Sequence, residues 1–248
     1  MTFETALEFR WADALNWVQS DQLSQLRDFI NSYRATKSKD ESHLRRLSYL
    51  LGLAAHCDSE KCVQYLASDL GGDIHHAGGG QAATTLALAI YCSEKKRRIG
   101  MFKSLMGLAD ANTLDELSVS WTMALRAALR IGDDEILCDL AAFIGSRRFA
   151  EWICSISEDG GRDAWHFAAY GGNIKNVNIL LAIPEMKARF EQARTPNGHS
   201  LAEFASKVGM LDLAQDLLRM AAADRERESL ANACPPVKDD LRGSALRM

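Results

Sequence analysis

The 248-residue sequence predicts an all-α fold. Three observations carry this. Apolar residues recur at i, i+3 and i+4 along most of the chain, while strict apolar–polar alternation of the strand type is scarce. Only four prolines are present, two of them adjacent at Pro235-Pro236, so long helical stretches run without a breaker. Apolar pairs also return at a regular interval: Phe29-Ile30, Leu66-Ala67, Leu105-Met106, Leu140-Ala141, Leu180-Leu181 and Leu217-Leu218 lie about 35 to 40 residues apart. A period of that length has room for two helices, and such a unit buries its apolar face only by stacking on a neighbour.

The first unit, about 3–34, carries one stripe of Trp11, Ala14, Leu15 and Val18 and a second of Leu23, Leu26, Phe29 and Ile30. Ser20 and Asp21 between them are N-cap chemistry for the second helix. The polar run 36–42 predicts a solvated connection. The second unit, about 43–80, places Ala54-Ala55 on its first helix, Asp58-Ser59 at a turn, and Val63 and Leu66 on its second helix. Gly71-Gly72-Asp73-Ile74 and the glycine-rich continuation then suit a turn. The third, about 81–116, opens with Thr84-Thr85-Leu86 and ends in Ala109-Asp110-Ala111-Asn112. The basic run 94–98 is read as an enlarged turn between its helices. The fourth, about 118–145, has Gly132 between helices and the stripe Ile136, Leu137 and Leu140. The link 145–159 has its own stripe of Phe149, Trp152, Ile153 and Ile156, which suits an inserted helix.

The fifth unit, about 159–196, is the clearest. Its first helix, 164–170, is broken by Gly171-Gly172, and its second carries Val177, Leu180 and Leu181 on one face. The spacing resembles the ankyrin repeat, T-P-L-H-x-A-A-x-x-G followed by a helix ending in Leu-Leu. Asp163, Ala164, Trp165 and His166 stand in the T-P-L-H slots, Ala168 and Ala169 are the paired alanines, and Gly172 is the helix-breaking glycine. In the sixth, about 197–222, Ser200 takes the Thr slot, Ala205-Ser206 the alanine pair and Gly209 the glycine. Gly71-Gly72-Asp73-Ile74 and Ala109-Asp110-Ala111-Asn112 are similar to the segments that start the family's β-hairpin fingers. The slot proline is missing throughout. A different helical-pair solenoid is the alternative architecture. Residues 223–248 are expected to form a flexible polar tail or a short capping helix.

Bulk properties narrow the function. A net charge of −4 argues against nucleic acid as the main partner. No apolar run reaches the roughly 18 residues that span a bilayer. The opening residues lack a basic-then-apolar order, so no cleavable secretory signal is expected. Six scattered cysteines without a CxxC pair suit a reducing compartment, and the expected location is cytoplasmic. Cys57, Cys62, His75 and His76 loosely resemble a zinc-ligand set, but the repeat frame separates them, and no metal or other cofactor is expected. No nucleotide loop or HExxH segment is present, and nothing completes a triad with His166. The resemblance makes His166 a hydrogen-bonding residue that ties one repeat to its neighbour's turn.

The resemblance implies a non-catalytic module that binds another protein through the concave surface of fingers and first helices. Carried over by position, that surface takes His75, His76 and Gln81, then Asn112, Leu114 and Asp115, then Arg162 and Tyr170, and finally Asn197, His199 and Lys207. Trp121, at the start of its helix beside a finger, is the candidate exposed aromatic anchor; the other tryptophans fall on core stripes. An adaptor would use such a surface. A secreted bacterial-type effector, or an inhibitor or immunity protein that blocks a partner enzyme, would use the same one. An enzyme on a helical-repeat frame is the third reading.

Overall fold

The computed structural model describes residues 12–36, 41–70, 72–75, 84–91, 95–110, 112, 114–158, 161–190 and 192–233. The fold is mostly helical. Helix α1 (12–19) and α2 (Leu23–Thr36) are followed by α3 (Glu41–His56) and α4 (Glu60–Gln64), which widens into a π-helical turn at Tyr65–Asp69. Next come α5 (Thr85–Ile90), α6 (Lys95–Met106), α7 (Ser118–Ile131), α8 (Asp134–Ile144) and α9 (Ser146–Ser155). Strands β1 (Ser157–Glu158) and β2 (Arg162–Asp163) pair antiparallel, Ser157 opposite Asp163 and Glu158 opposite Arg162. The chain continues through α10 (Ala164–Gly171), α11 (Ile174–Leu181), α12 (Pro184–Arg189), α13 (Leu201–Lys207) and α14 (Leu211–Ala233).

Helix α3 packs on α5, α5 on α7, α7 on α10 and α10 on α13, each a first helix meeting the next. A second row forms from α2 on α4 and from α6, α8 and α11 in turn. Side chains at the starts of the first helices explain where those helices begin. Thr84 accepts from the Ala87 N–H, Asp163 from the Trp165 and His166 N–H groups, and Ser200 from the Glu203 N–H, so the three residues in the Thr slot are N-caps. Glu203 returns the bond to the Ser200 N–H at 2.7 Å, completing a capping box.

The core runs between the rows and is closed by the repeated apolar pairs. Leu66, Leu105, Leu140 and Leu180 are each 0% exposed and Leu217 is 3% exposed, whereas Leu218 is 58% exposed. Contacts between inter-helix turns join successive pairs. Ser59 Oγ donates to the Val18 carbonyl, and the Cys62 N–H reaches Asp21 Oδ1 at 3.3 Å. Farther along, Asn173 Nδ2 donates to the Gly132 carbonyl at 2.8 Å and to Asp134 Oδ1 at 3.0 Å.

The glycines of those turns do two jobs. Gly132 sits at φ +75° as the left-handed C-cap of α7. Gly171, still inside α10, lets the backbones touch: a Cβ there would lie 2.2 Å from the Leu129 carbonyl oxygen.

Four sequence expectations change. The basic run at 94–98 is not an enlarged turn, since α6 begins at Lys95; Lys and Arg are good helix formers, and Arg98 meets Asp133 at 3.3 Å. Residues 41 and 42 belong to α3 rather than to a solvated connection. Helix α14 runs through the boundary expected at 222 and continues to Ala233, because no breaker precedes Pro235. Finally, α12 was not expected, although Pro184 at its first turn with Glu185 beside it is ordinary start chemistry. It seats Phe190 at 5.0 Å from the Trp165 ring.

Candidate functional site

Helices α7 and α10 present an ordered face beside the β1–β2 finger. Arg126 and Arg130 are one turn apart on α7, and Phe167 and Tyr170 one turn apart on α10, so each pair shares a side of its helix. The Arg126 guanidinium stands 4.9 Å from the Phe167 ring centre and that of Arg130 5.2 Å from Tyr170. Both distances are within the range of a cation–π attraction between guanidinium and ring.

Two fingers flank this face and the next helix. In the first, Arg162 is exposed on β2, and Asp163 turns inward to cap α10. In the second, Arg194 bridges Ser200, and the Thr195 N–H donates to the His199 carbonyl at 2.9 Å. Gly198, at φ +79°, forms its tip beside exposed Asn197. The fingers approach each other, since a Cβ at Gly161 would meet Pro196 Cγ at 3.7 Å. Lys207 Nζ lies 2.5 Å from His199 Nε2. An ammonium can only donate, so this contact requires the acceptor lone pair at Nε2. The carboxyl of Glu203 is held below its usual range by the Ser200 backbone N–H and hydroxyl.

Of the residues expected to contact a partner, Arg162, Tyr170, Asn197 and Lys207 are exposed and His199 is half-buried. They lie on consecutive fingers and on α10 and α13, which pack together. Asn112 and Asp115 are also exposed, but their polar groups are engaged. Asn112 donates from its backbone and side chain to Asp110 Oδ1 at 2.8 and 2.9 Å. Asp115 takes both Arg148 donors, Nε at 2.6 Å and an Nη at 2.8 Å, which holds its carboxyl below the usual range. His76 and Gln81 lie outside the described residues.

Two of these expectations are corrected. Trp121 is 0% exposed and Leu114 is 4% exposed, so neither offers a surface. The indole packs at 5.1 Å from the His75 ring and 5.3 Å from Phe143. A position beside a finger is thus a covered one here. His75 is half-buried, with Nδ1 3.0 Å from Ser120 Oγ, and burial pushes its pKa down against the opposing pull of Asp73.

His166 also differs from expectation. Its Nδ1 lies 2.7 Å from Asp163 Oδ1 within the same turn, and its ring meets the Phe204 ring of the next unit at 5.6 Å. The Asp163 N–H is 3.2 Å from the same nitrogen, which would require the opposite tautomer. Donation from Nδ1–H to the carboxylate is the shorter, charge-assisted contact, and it leaves Nε2, which has no hydrogen-bond partner among the described residues, as a lone pair rather than a buried N–H.

Sequence reasoning passed over a second feature, a cleft of about 370 Å³ between α7, α9 and β1. Val119, Thr122, Met123 and Arg126 line one side, and Trp152 and Ile156 belong to the other. The signal was present as a stripe at i, i+3, i+4 and i+7 on α7, beside the stripe that fills the core. Elsewhere, burial pushes the Cys62 thiol up to about 12, with Asp21 adding to the effect. Among the described residues, no group of three or more His, Cys, Asp or Glu is placed to hold a metal ion, and no helix is long and apolar enough to cross a membrane. Comparison of the chain with protein-family models finds no match, and comparison with curated proteins finds none either.

Proposed function

We propose that this chain is a degenerate ankyrin-like solenoid that binds another protein through its fingers and first helices, without catalysis. The observation that carries this reading is the face on α7 and α10, where Arg126 and Arg130 lie over Phe167 and Tyr170 beside two neighbouring fingers. Arginine and tyrosine held in fixed positions lose little conformational freedom when a partner docks, and both are enriched at the centres of interfaces. The consecutive packing of first helices and the antiparallel finger before α10 support the ankyrin-like part of the reading.

The test is a cross-linked capture from lysate with the full chain and with Arg162→Glu/Tyr170→Ala. Both positions are exposed, and a circular dichroism melt checks that the double variant is folded. The expected outcome is a protein held by the wild type and lost by the folded variant. A captured protein that the variant retains would remove this face from the reading.

A further inference from the structure

We infer that residues 72–75 form a proton-operated latch on α7: when His75 takes up a proton, its side chain leaves Ser120 and Trp121 and the indole opens to solvent. The segment ties three elements together. The Gly72 N–H donates to the Leu66 carbonyl of the π-helical turn at 2.9 Å, and the Asp73 N–H donates to Ser48 Oγ of α3 at 3.2 Å. Ile74 is buried, and His75 then reaches α7, with Nδ1 3.0 Å from Ser120 Oγ and its ring 5.1 Å from Trp121. The first two ties are made by backbone N–H groups, which do not titrate. The third is an imidazole, whose charge changes close to neutral pH.

The ring sits where a proton is costly. Ser120 is 5% exposed and belongs to the first turn of α7, where helix N–H groups carry partial positive charge. That turn has no acidic residue to offset a second positive charge. The indole beside the ring is 0% exposed, so little water reaches that side. Protonation makes both ring nitrogens donors, and the Ser120 hydroxyl lies against only one of them. Burial accordingly holds the His75 pKa below its ordinary value. Asp73 opposes this, but it is exposed, so water and salt screen its field, and its Oδ1 already accepts the His75 backbone N–H at 2.8 Å. The charged side chains of α7 are Arg126 and Arg130, which lie over Phe167 and Tyr170 and carry the same sign as a protonated ring.

A ring that resists a proton in place and accepts it once released converts acid into opening. The released form has the ordinary value of 6.5, so its share rises as pH falls below that value. On opening, the indole keeps its contact with Phe143 and loses the one with His75. Tryptophan is the residue type most enriched among interface anchors, together with tyrosine and arginine. Trp121 is thus withheld from a partner at neutral pH and offered in mildly acidic surroundings. That use rests on the protein-binding reading; the latch itself does not.

The experiment is hydroxyl-radical footprinting of the full chain at pH 7.5 and pH 5.5, with oxidation of each tryptophan read by mass spectrometry. Trp165 is the internal reference, because it is 1% exposed and packs on Phe190 rather than on a histidine. Oxidation of Trp121 relative to Trp165 should rise about three- to tenfold at the lower pH, tenfold being the limit for a group of ordinary pKa 6.5 one pH unit below it. His75→Gln keeps a polar side chain that does not titrate and should show no such rise. An NMR titration of the assigned His75 ring in the wild type should have its midpoint below 6.5.

No rise at Trp121 in the wild type, an equal rise at Trp165, an equal rise in His75→Gln, or a ring midpoint at or above 6.5 would each overturn the inference. The ring titration uses the wild type alone, so it decides the matter even where His75→Gln does not fold. Loss of the latch would leave the face on α7 and α10 untouched, since neither Arg162 nor Tyr170 enters these readouts.

Discussion

At residue scale, the most consequential positions are those where no other side chain fits or where charge is withheld. Gly171 is one. Its Cβ-less backbone approaches Leu129 and Gly132, and an added methyl would sit 2.8 Å from the Gly132 nitrogen as well as 2.2 Å from the Leu129 oxygen. Neither contact is with a side chain that can swing away, so Gly171→Ala should destabilise the fold by about 2–3 kcal/mol in denaturant titration, despite the better helix propensity of alanine. The glycine pair was legible as a helix break, but its first member serves the crossing of α7 and α10, which only spatial neighbours reveal.

His75 gives a second expectation. Burial lowers its pKa from the ordinary 6.5, so above that value the folded and unfolded states are both neutral and stability is complete. As pH falls below 6.5, the unfolded chain takes up a proton that the folded one resists, and stability is lost until the lowered folded value is passed. Thermal midpoints of the wild type should therefore fall between about pH 7.5 and about pH 5.5, and the fall should be shallower in His75→Gln.

At the scale of elements, caps and turns decide where helices start and how they join. Asp133 does both: its Oδ1 accepts the Ile136 N–H of α8, and its Oδ2 faces Arg98 of α6 at 3.3 Å. The pair is nearly sequestered, with side-chain exposures of 12% and 1%. Asp133→Ala should cost about 3 kcal/mol, because it removes the cap and the carboxylate together. Asp133→Asn keeps a capping oxygen and should recover about 1 kcal/mol of that loss in the same titration. Asp163 and Ser200 were legible as helix starts because capping depends on residues three positions away. The partnership of Arg98 with Asp133 spans two helices, so nothing local announced it and the basic run was read as a turn.

Across the whole molecule, α3 packs on α5, α5 on α7, α7 on α10 and α10 on α13. On α14, Leu213 and Leu217 are each 3% exposed, while Leu211 at 61% and Leu218 at 58% face outward. The expected partner surface divides along the chain. Around Trp121 and Leu114 it is interior, whereas Arg162, Tyr170, Asn197, His199 and Lys207 fall on adjoining fingers and helices. The protein-binding reading therefore rests on the half of the molecule from α7 to α13.

Residue pattern alone was sufficient for the helical class, the Gly132 and Gly172 breaks and an inserted helix near Phe149. Each depends on chemistry within a few positions of chain, where backbone geometry leaves few choices. The burial of Trp121, the placement of Arg126 and Arg130 over rings of the next helix, and the cleft behind Val119 were decided only when the pairs packed. Exposure of a side chain depends on which distant segment lies over it, and no local spacing encodes that.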